Sequence, residues 1–217
     1  VLPLDKTDSP HLSARGLCFG YDGHDVLHDV SARFSPGSVT AVTGPNGSGK
    51  STFVELLAGV RSPRRGVIDR DGRLALVVQR PSTPDALPVT VHDVVAIGTW
   101  GRTRGHLGSR RADRRSAVAE VIDRVGLTGL EQRTFGELSG GQRQRALLAQ
   151  GIVQDTEILL LDEPAAGLDA ASRQRTREIL AEEAARGTTI VCVSHDEESI
   201  AAADDVIRLE DGRVVGW

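Results

Sequence analysis

The stretch from Val39 to Gly59 constrains the fold of this chain more than any other. An apolar run, Val39-Thr40-Ala41-Val42-Thr43, passes directly into Gly44-Pro45-Asn46-Gly47-Ser48-Gly49-Lys50-Ser51-Thr52. Behind it Phe53, Val54, Leu56 and Leu57 recur at helical spacing, and Gly59 offers a stop. A buried strand, a glycine turn and an amphipathic helix in immediate succession build an α/β crossover rather than a hairpin. Glycines let successive backbone N–H groups turn toward an anion, and the helix adds the positive end of its dipole. The pattern is G-x-x-x-x-G-K-[ST], so Gly44 to Thr52 are expected to cradle the phosphates of a nucleotide. Lys50 would reach the β and γ oxygens, and the Ser51 hydroxyl would hold Mg²⁺. Only two of the 26 basic residues are lysine, Lys6 and Lys50, so a lysine at this point of the motif is not there by default.

The rest of the chain supplies the sheet that such a unit needs. Residues 11–34 read as short, half-buried strands: Leu12 to Phe19, Val26-Leu27, and Val30 to Phe34. Leu74 to Val78 is a continuous apolar strand ending at Gln79, and Pro81, Pro84 and Pro88 mark a loop over 80–90. Residues 91–155 carry helical signals and almost no strand signal; Val118, Val121, Ile122 and Val125 are the clearest. Alternation then returns, with a strand at 157–161, a helix over about 170–186 and a strand at 188–193. The pattern predicts an α/β fold with a mixed, mostly parallel sheet and an N-terminal antiparallel β segment. A helical subdomain (about 91–155) would be inserted between the core segments 11–90 and 156–217, the whole chain 1–217 forming a single domain.

Several function classes are excluded by bulk properties. A formal charge of −4 over 217 residues gives no general basic field for nucleic acid. The longest apolar runs, such as Ile158 to Leu161, fall far short of the roughly 18 residues that span a bilayer. Val1 to Pro10 carries Asp5, Lys6 and Asp8 and no apolar core, so no signal peptide is expected there. No regulatory domain is expected beyond Trp217. Cys18 and Cys192 have no metal or redox spacing, and both are expected as buried free thiols. His11, His24, His28, His92 and His106 show no ligand spacing and are expected at the surface. Arg110, Arg111, Arg114 and Arg115 read as a solvated helix face.

Two further motifs carry chemistry. Asp162-Glu163 closes the apolar strand that begins at Ile158, and an Asp at a strand's carboxyl end beside a phosphate loop can anchor the water shell of Mg²⁺. Glu163, one residue on, points differently and can polarise an attacking water. Leu138-Ser139-Gly140-Gly141-Gln142 is a second glycine-rich helix start, hence a second anion nest. A chain with one phosphate loop has no obvious need of a second nest for its own nucleotide.

This set of residues resembles the ATPase domain of ABC transporters. Tyr21, the loop 44–52, Gln79, the segment 138–142, Asp162-Glu163, Gly167-Leu168-Asp169 and His195 arrive in that family's order across essentially the whole chain. The resemblance implies a P-loop ATPase core that binds ATP with Mg²⁺ and pairs head to tail. Ser139, Gly140, Gly141 and Gln142 of one subunit would then close over the ATP of the other. Tyr21 would stack on adenine, Gln79 would reach Mg²⁺ and the water, Asp169 would connect the two sites, and His195 would contact the γ-phosphate. The metal set would be Ser51, Gln79 and Asp162; the catalytic set Glu163, His195 and Gln79. One departure is mild: Ala165-Ala166-Gly167 stands where many members have a Thr-Ser or Phe-Ala pair.

The resemblance also implies partners: integral-membrane permease subunits, an extracytoplasmic solute-binding protein, and a place on the cytoplasmic face of the membrane. A nucleotide-gated clamp for DNA or the ribosome is the contrasting class; heptads, cysteine pairs and a second ATPase copy are missing from the sequence. Pro88-Val89-Thr90-Val91-His92-Asp93-Val94-Val95-Ala96-Ile97-Gly98 is similar to a stretch in ATPases serving zinc and manganese importers. ATPases of siderophore and cobalamin importers have a comparable stretch and form the alternative.

Overall fold

The computed structural model describes residues 12–21, 23–78, 89–100 and 111–216. Two sheets organise them. Strands β1 (Leu12–Tyr21), β2 (His24–Phe34) and β4 (Arg65–Arg70) form an antiparallel sheet in the order β2-β1-β4. Strands β3 (Val39–Thr43), β5 (Leu74–Val77), β6 (Ile158–Asp162), β7 (Thr189–Val193), β8 (Asp205–Glu210) and β9 (Arg213–Gly216) form the second, in the order β5-β6-β7-β3-β8-β9. Every pairing in it is parallel except β8 with β9. The mixed, mostly parallel sheet and the antiparallel N-terminal segment are therefore both present.

Parallel register is what builds the site. Val42 of β3 pairs with Val193 of β7, and Asp162 of β6 pairs with the same Val193. Three carboxyl ends thus stop at one level, and the loops that follow them share one edge of the sheet, where open α/β sheets hold their ligands. The central strands are buried on both faces and read as continuous apolar runs for that reason. Alternate residues serve opposite layers: Ile158, Leu160, Val191 and Val193 pack with Phe53, Leu56 and Leu57 of helix α1 (Lys50–Ala58) and with β1 and β2. Leu159, Leu161, Ile190 and Cys192 face the helices of the other layer.

That layer comprises α2 (Val91–Ile97), α3 (Arg111–Arg124), α4 (Gly140–Ile152) and α5 (Ala170–Ala185), with a 3-10 turn at Phe135–Glu137 and a short α6 (Glu197–Ala201) on the chain after β7. Val91, Val95, Val118, Ile122, Val125 and Leu148 join the side chains of β5 and β6 in one continuous apolar core. Burying them together is what holds α2–α4 against the sheet; α3 and α5 alone are weakly amphipathic. Arg124 at the end of α3 pairs with the buried Glu183 of α5, which ties α3 to α5 polar group to polar group.

Several expectations need correcting. Val26-Leu27 and Val30 to Phe34 are one strand, β2, because pairing with β1 resumes on both sides of an irregularity at Asp29, whose φ is 57°. The sequence assigned no element to β4, β8, β9 or α6. β4 is an exposed edge strand with little apolar pattern, and its pairing with β1 holds it in place. Cys192 is buried, and desolvation pushes its thiol up to about 12. Cys18 is only half-buried, its Sγ accepting from Asp29 N at 3.4 Å. His24 is exposed, His28 and His92 are half-buried, and His11 and His106 lie outside the described residues. Arg114 and Arg115 are exposed on α3.

Candidate functional site

The phosphate loop leaves β3 at Gly44 and enters α1 at Lys50. Its glycines have separate reasons. A Cβ on Gly44 would sit 1.9 Å from the Leu209 carbonyl oxygen of β8, and one on Gly49 would sit 2.6 Å from Leu27 Cδ2 of β2. Gly47, with φ 82°, meets nothing within 4 Å, so there the backbone conformation alone demands glycine. Lys50 is 6% exposed, and its Nζ donates to the carbonyls of Gly44 at 2.9 Å and Pro45 at 2.8 Å. Burial lowers the Lys50 pKa, opposed by the carboxylates of Glu163 and Asp162. A cation held by loop carbonyls at the entry to a helix suits a polyphosphate that would take its donors. Ser48 Oγ is buried with no hydrogen-bond partner among the described residues, a further polar atom that a ligand could satisfy.

The strand-end acids stand opposite. Ser51 Oγ donates to Asp162 Oδ1 at 3.3 Å. Burial raises the Asp162 pKa, with Ser51 pulling it down and Glu163 adding to the rise. A desolvated carboxylate beside a hydroxyl is a fitting pair for a hard dication, whose charge relieves the cost of keeping that carboxylate ionised. Glu163 adopts φ 50°, a left-handed conformation that costs a non-glycine residue about 1–3 kcal/mol. Its N–H donates to Val193 O at 3.2 Å, anchoring the turn to β7. Its Oε1 lies 3.1 Å from His195 Nε2. The residue expected to polarise the attacking water and the one expected to contact the γ-phosphate thus meet each other.

His195 is placed by neighbours that sequence reasoning missed. Ser194 N donates to Val42 O at 3.1 Å, continuing the sheet one residue past β7. Asp196 caps α6 and forms ion pairs with Arg173 at 3.3 Å and Arg177 at 3.2 Å, both on α5. Arg173 also donates to Leu168 O at 2.8 Å, so one side chain ties the segment before Asp169 to the residue after His195. An arginine on a polar helix face carries no signal for this in the sequence.

Tyr21 ends β1 and is 38% exposed. Its hydroxyl lies 3.4 Å from Thr52 Oγ1, Phe19 meets it edge-on with centroids 5.0 Å apart, and the Arg61 guanidinium lies 4.8 Å over the ring. Arg61 was missed as well, because its place depends on the turn that follows α1.

The second nest is built as a capped helix start. Ser139 Oγ accepts from Gln142 N at 3.3 Å, and Gln142 Oε1 accepts from Ser139 N at 3.0 Å, a reciprocal capping box at the head of α4. Leu168 and Ser172 are the nearest side chains to Gly140 and Gly141, not the phosphate loop. Asp169 caps α5, accepting from Ser172 N at 2.8 Å, and that bond is the chief reason its pKa is lowered. Loop 44–52, Asp162, Glu163, His195 and Tyr21 therefore form one group, while Ser139–Gln142 and Asp169 form another. Gln79 lies outside the described residues.

A phosphate loop after the central strand, facing strand-end acids, defines the class of P-loop ATPase. The model of the family described as "ABC transporter" matches residues 27–166, and the chain belongs to that family, whose ATP-binding domain hydrolyses ATP. Curated relatives include the zinc transport system ATP-binding protein TroB of Treponema pallidum, 35% identical over 92% of this chain and 77% of that protein. The manganese transport system ATP-binding protein MntB of Listeria innocua is 33% identical over 91% of this chain and 86% of that protein. The hemin import ATP-binding protein HmuV of Thermobifida fusca is 36% identical over 95% and 76%. Among solved structures, a Clostridium perfringens subunit described as part of an ABC transporter complex superposes with a TM-score of 0.82, at 28% identity over 96% of this chain and 88% of that one.

Proposed function

We propose that this chain is the ATP-hydrolysing subunit of an importer for a divalent metal ion, zinc or manganese, working through separate permease subunits. The observation that carries the substrate class is the match, over nine-tenths of the chain, to ATP-binding proteins named for zinc and manganese transport. Among the described residues no helix is long and apolar enough to cross a membrane, which accords with a peripheral subunit on the cytoplasmic face. Import would further require an extracytoplasmic solute-binding protein.

The chemistry follows from the geometry. The N–H groups of loop 44–52 and Lys50 bind and orient the polyphosphate, and Tyr21 offers a ring face to the adenine. Bound Mg²⁺, held by Ser51 and Asp162 and by Gln79, would supply charge neutralisation on the phosphate oxygens. Glu163 holds the attacking water by hydrogen bonding, and His195, 3.1 Å away, fixes the carboxylate and turns to the γ-phosphate when it arrives. The Ser139–Gln142 segment and Asp169 reach the nucleotide of a second copy in a head-to-tail dimer.

The stretch from Thr90 to Gly98 weighs less for substrate than its sequence suggests. Thr90 and Asp93 form a capping box, Thr90 Oγ1 accepting from Asp93 N at 3.1 Å and Asp93 Oδ2 accepting from Thr90 N at 3.0 Å. That exchange holds the Asp93 pKa down. Val91, Val94 and Val95 are core. Helix building thus accounts for the T-V-x-D-V-V pattern, and the exposed Ile97 and Trp100 are the better candidates for touching a permease.

Growth of a strain lacking the gene tests the proposal. Growth should fail under chelation and recover with either zinc or manganese alone. The hemin relative motivates the second reading, an importer of a chelated metal such as hemin, a siderophore or cobalamin. Normal growth under chelation, with failure only when hemin, a siderophore or cobalamin is the required source, would replace the first reading by the second.

A further inference from the structure

Gly140 and Gly141 look equivalent in the sequence, and both serve the nest reading. The structure separates them. Neither has a positive φ, so neither needs glycine for its backbone conformation, and glycine inside a helix is disfavoured relative to alanine. A Cβ on Gly140 would meet only Leu168 Cδ2, at 3.7 Å, which is ordinary contact. A Cβ on Gly141 would lie 2.1 Å from Ser172 Oγ and 2.7 Å from Ser172 Cβ. Gly141 is buried, and Ser172 is held where it is: its N–H donates to Asp169 Oδ1 at 2.8 Å and its Oγ to Asp169 Oδ2 at 3.2 Å. Rotating the serine hydroxyl away would break its bond to Asp169, and the Cβ overlap would remain.

We propose that Ser172 is a positioning residue for ATP hydrolysis, the seat against which Gly141 closes so that the second nest and the Asp169 cap are placed as one unit. The first turns of α4 and α5 meet at this point, one from the helical segment and one from the ATPase core. Any rotation of α4 relative to the core must slide Gly141 over Ser172 and so passes directly to Asp169. The missing Cβ at 141 thereby serves contact inside the chain, whereas the one at 140 leaves the nest open to an anion. The inference rests on the reading that residues 139–142 close on a partner's nucleotide.

A size exchange tests it. Gly141→Ala should lower turnover about tenfold or more, leave ATP binding by the monomer unchanged, and weaken the ATP-dependent dimer formed in a Glu163→Gln background. Adding Ser172→Gly removes both colliding atoms, and the double variant should recover to within about threefold of Ser172→Gly alone. Ser172→Gly also loses the hydroxyl bond to Asp169, so it is the reference, with melting temperature measured for all three proteins. Two results would overturn the proposal: Gly141→Ala with parental turnover, or a double variant folded like its reference yet as inactive as Gly141→Ala. The second would mean that the bound nucleotide, not Ser172, excludes the Cβ. A separate arm guards the underlying reading: if Ser139→Arg abolishes ATP binding by the monomer, the nest acts in its own subunit and it is that reading which fails.

Discussion

The loop 44–52 and the segment 139–142 are both glycine-rich helix starts, yet their surroundings differ. The first is walled by its own chain: Leu209 of β8 and Leu27 of β2 close on its glycines, Lys50 folds back on it, and Asp162 and Glu163 stand across from it. The second is capped by Ser139 and Gln142, backed by Leu168 and Ser172, and has Ser139 and Gly140 exposed. An anion site needs donors and also opposing groups that orient the ligand and hold the metal or water. The chain supplies these around the first nest. Around the second the described residues supply a back wall, which accords with the proposal that a second copy completes the site.

The comparison breaks or sharpens at four points. The largest effect belongs to Glu163. If the first nest holds the nucleotide and Glu163 only directs the water, Glu163→Gln should cut turnover about 10²–10⁴-fold while ATP affinity survives. ATP and Mg²⁺ should then trap a dimer visible by size-exclusion chromatography; near-parental turnover would remove Glu163 from catalysis. Ser139→Arg follows, with a loss of about 10²–10³-fold in turnover and ATP binding by the monomer unchanged. Mixed with Lys50→Ala it should regain activity, because each heterodimer rebuilds one composite site. A mixture no more active than its components would contradict the division of labour between the two nests.

Smaller effects probe the far end of the first site. Tyr21→Ala should weaken ATP binding about tenfold, the size expected for one base stacked on an aromatic ring, with kcat little changed. Titration with a fluorescent ATP analogue measures this, and an unchanged affinity would leave Tyr21 a packing residue against Phe19. Smallest is Arg61→Ala, about two- to fivefold, through loss of the cation over the Tyr21 ring and its 2.5 Å pair with Glu55. A tighter binder would mean that Arg61 occupies the face a base needs.

The legible parts of the sequence are those that one segment specifies by itself. Strand β3, the loop after it, α1 and its stop at Gly59 follow from an apolar run, glycine and helical spacing within twenty-one residues. β6 and β7 read as buried strands because both faces are covered, and Asp162-Glu163 stands out against so apolar a run. β4 stays silent because its pairing with β1, more than any side-chain pattern, stabilises it, whereas β8 carries alternating buried residues, Ile207 and Leu209, a short signal that went unread. The capping boxes at Thr90 and Ser139 are local, yet they went unread, because the first lies in a stretch that reads as a substrate mark and the second in one that reads as an anion nest.

The sequence by itself determined that this chain grips a polyphosphate, since the donors, the lysine and the hydroxyl of that grip are consecutive residues on one turn. Only the tertiary structure decided what faces them. The parallel register of β3, β6 and β7 brings Asp162, Glu163 and His195 to one edge, and it depends on pairing β7 both with β6 and with β3, a strand more than a hundred residues earlier in the chain. The same holds for Arg173 with Asp196 and for Gly141 against Ser172. A contact of that kind is set by how whole layers pack, and neither partner's neighbours along the chain carry a trace of it.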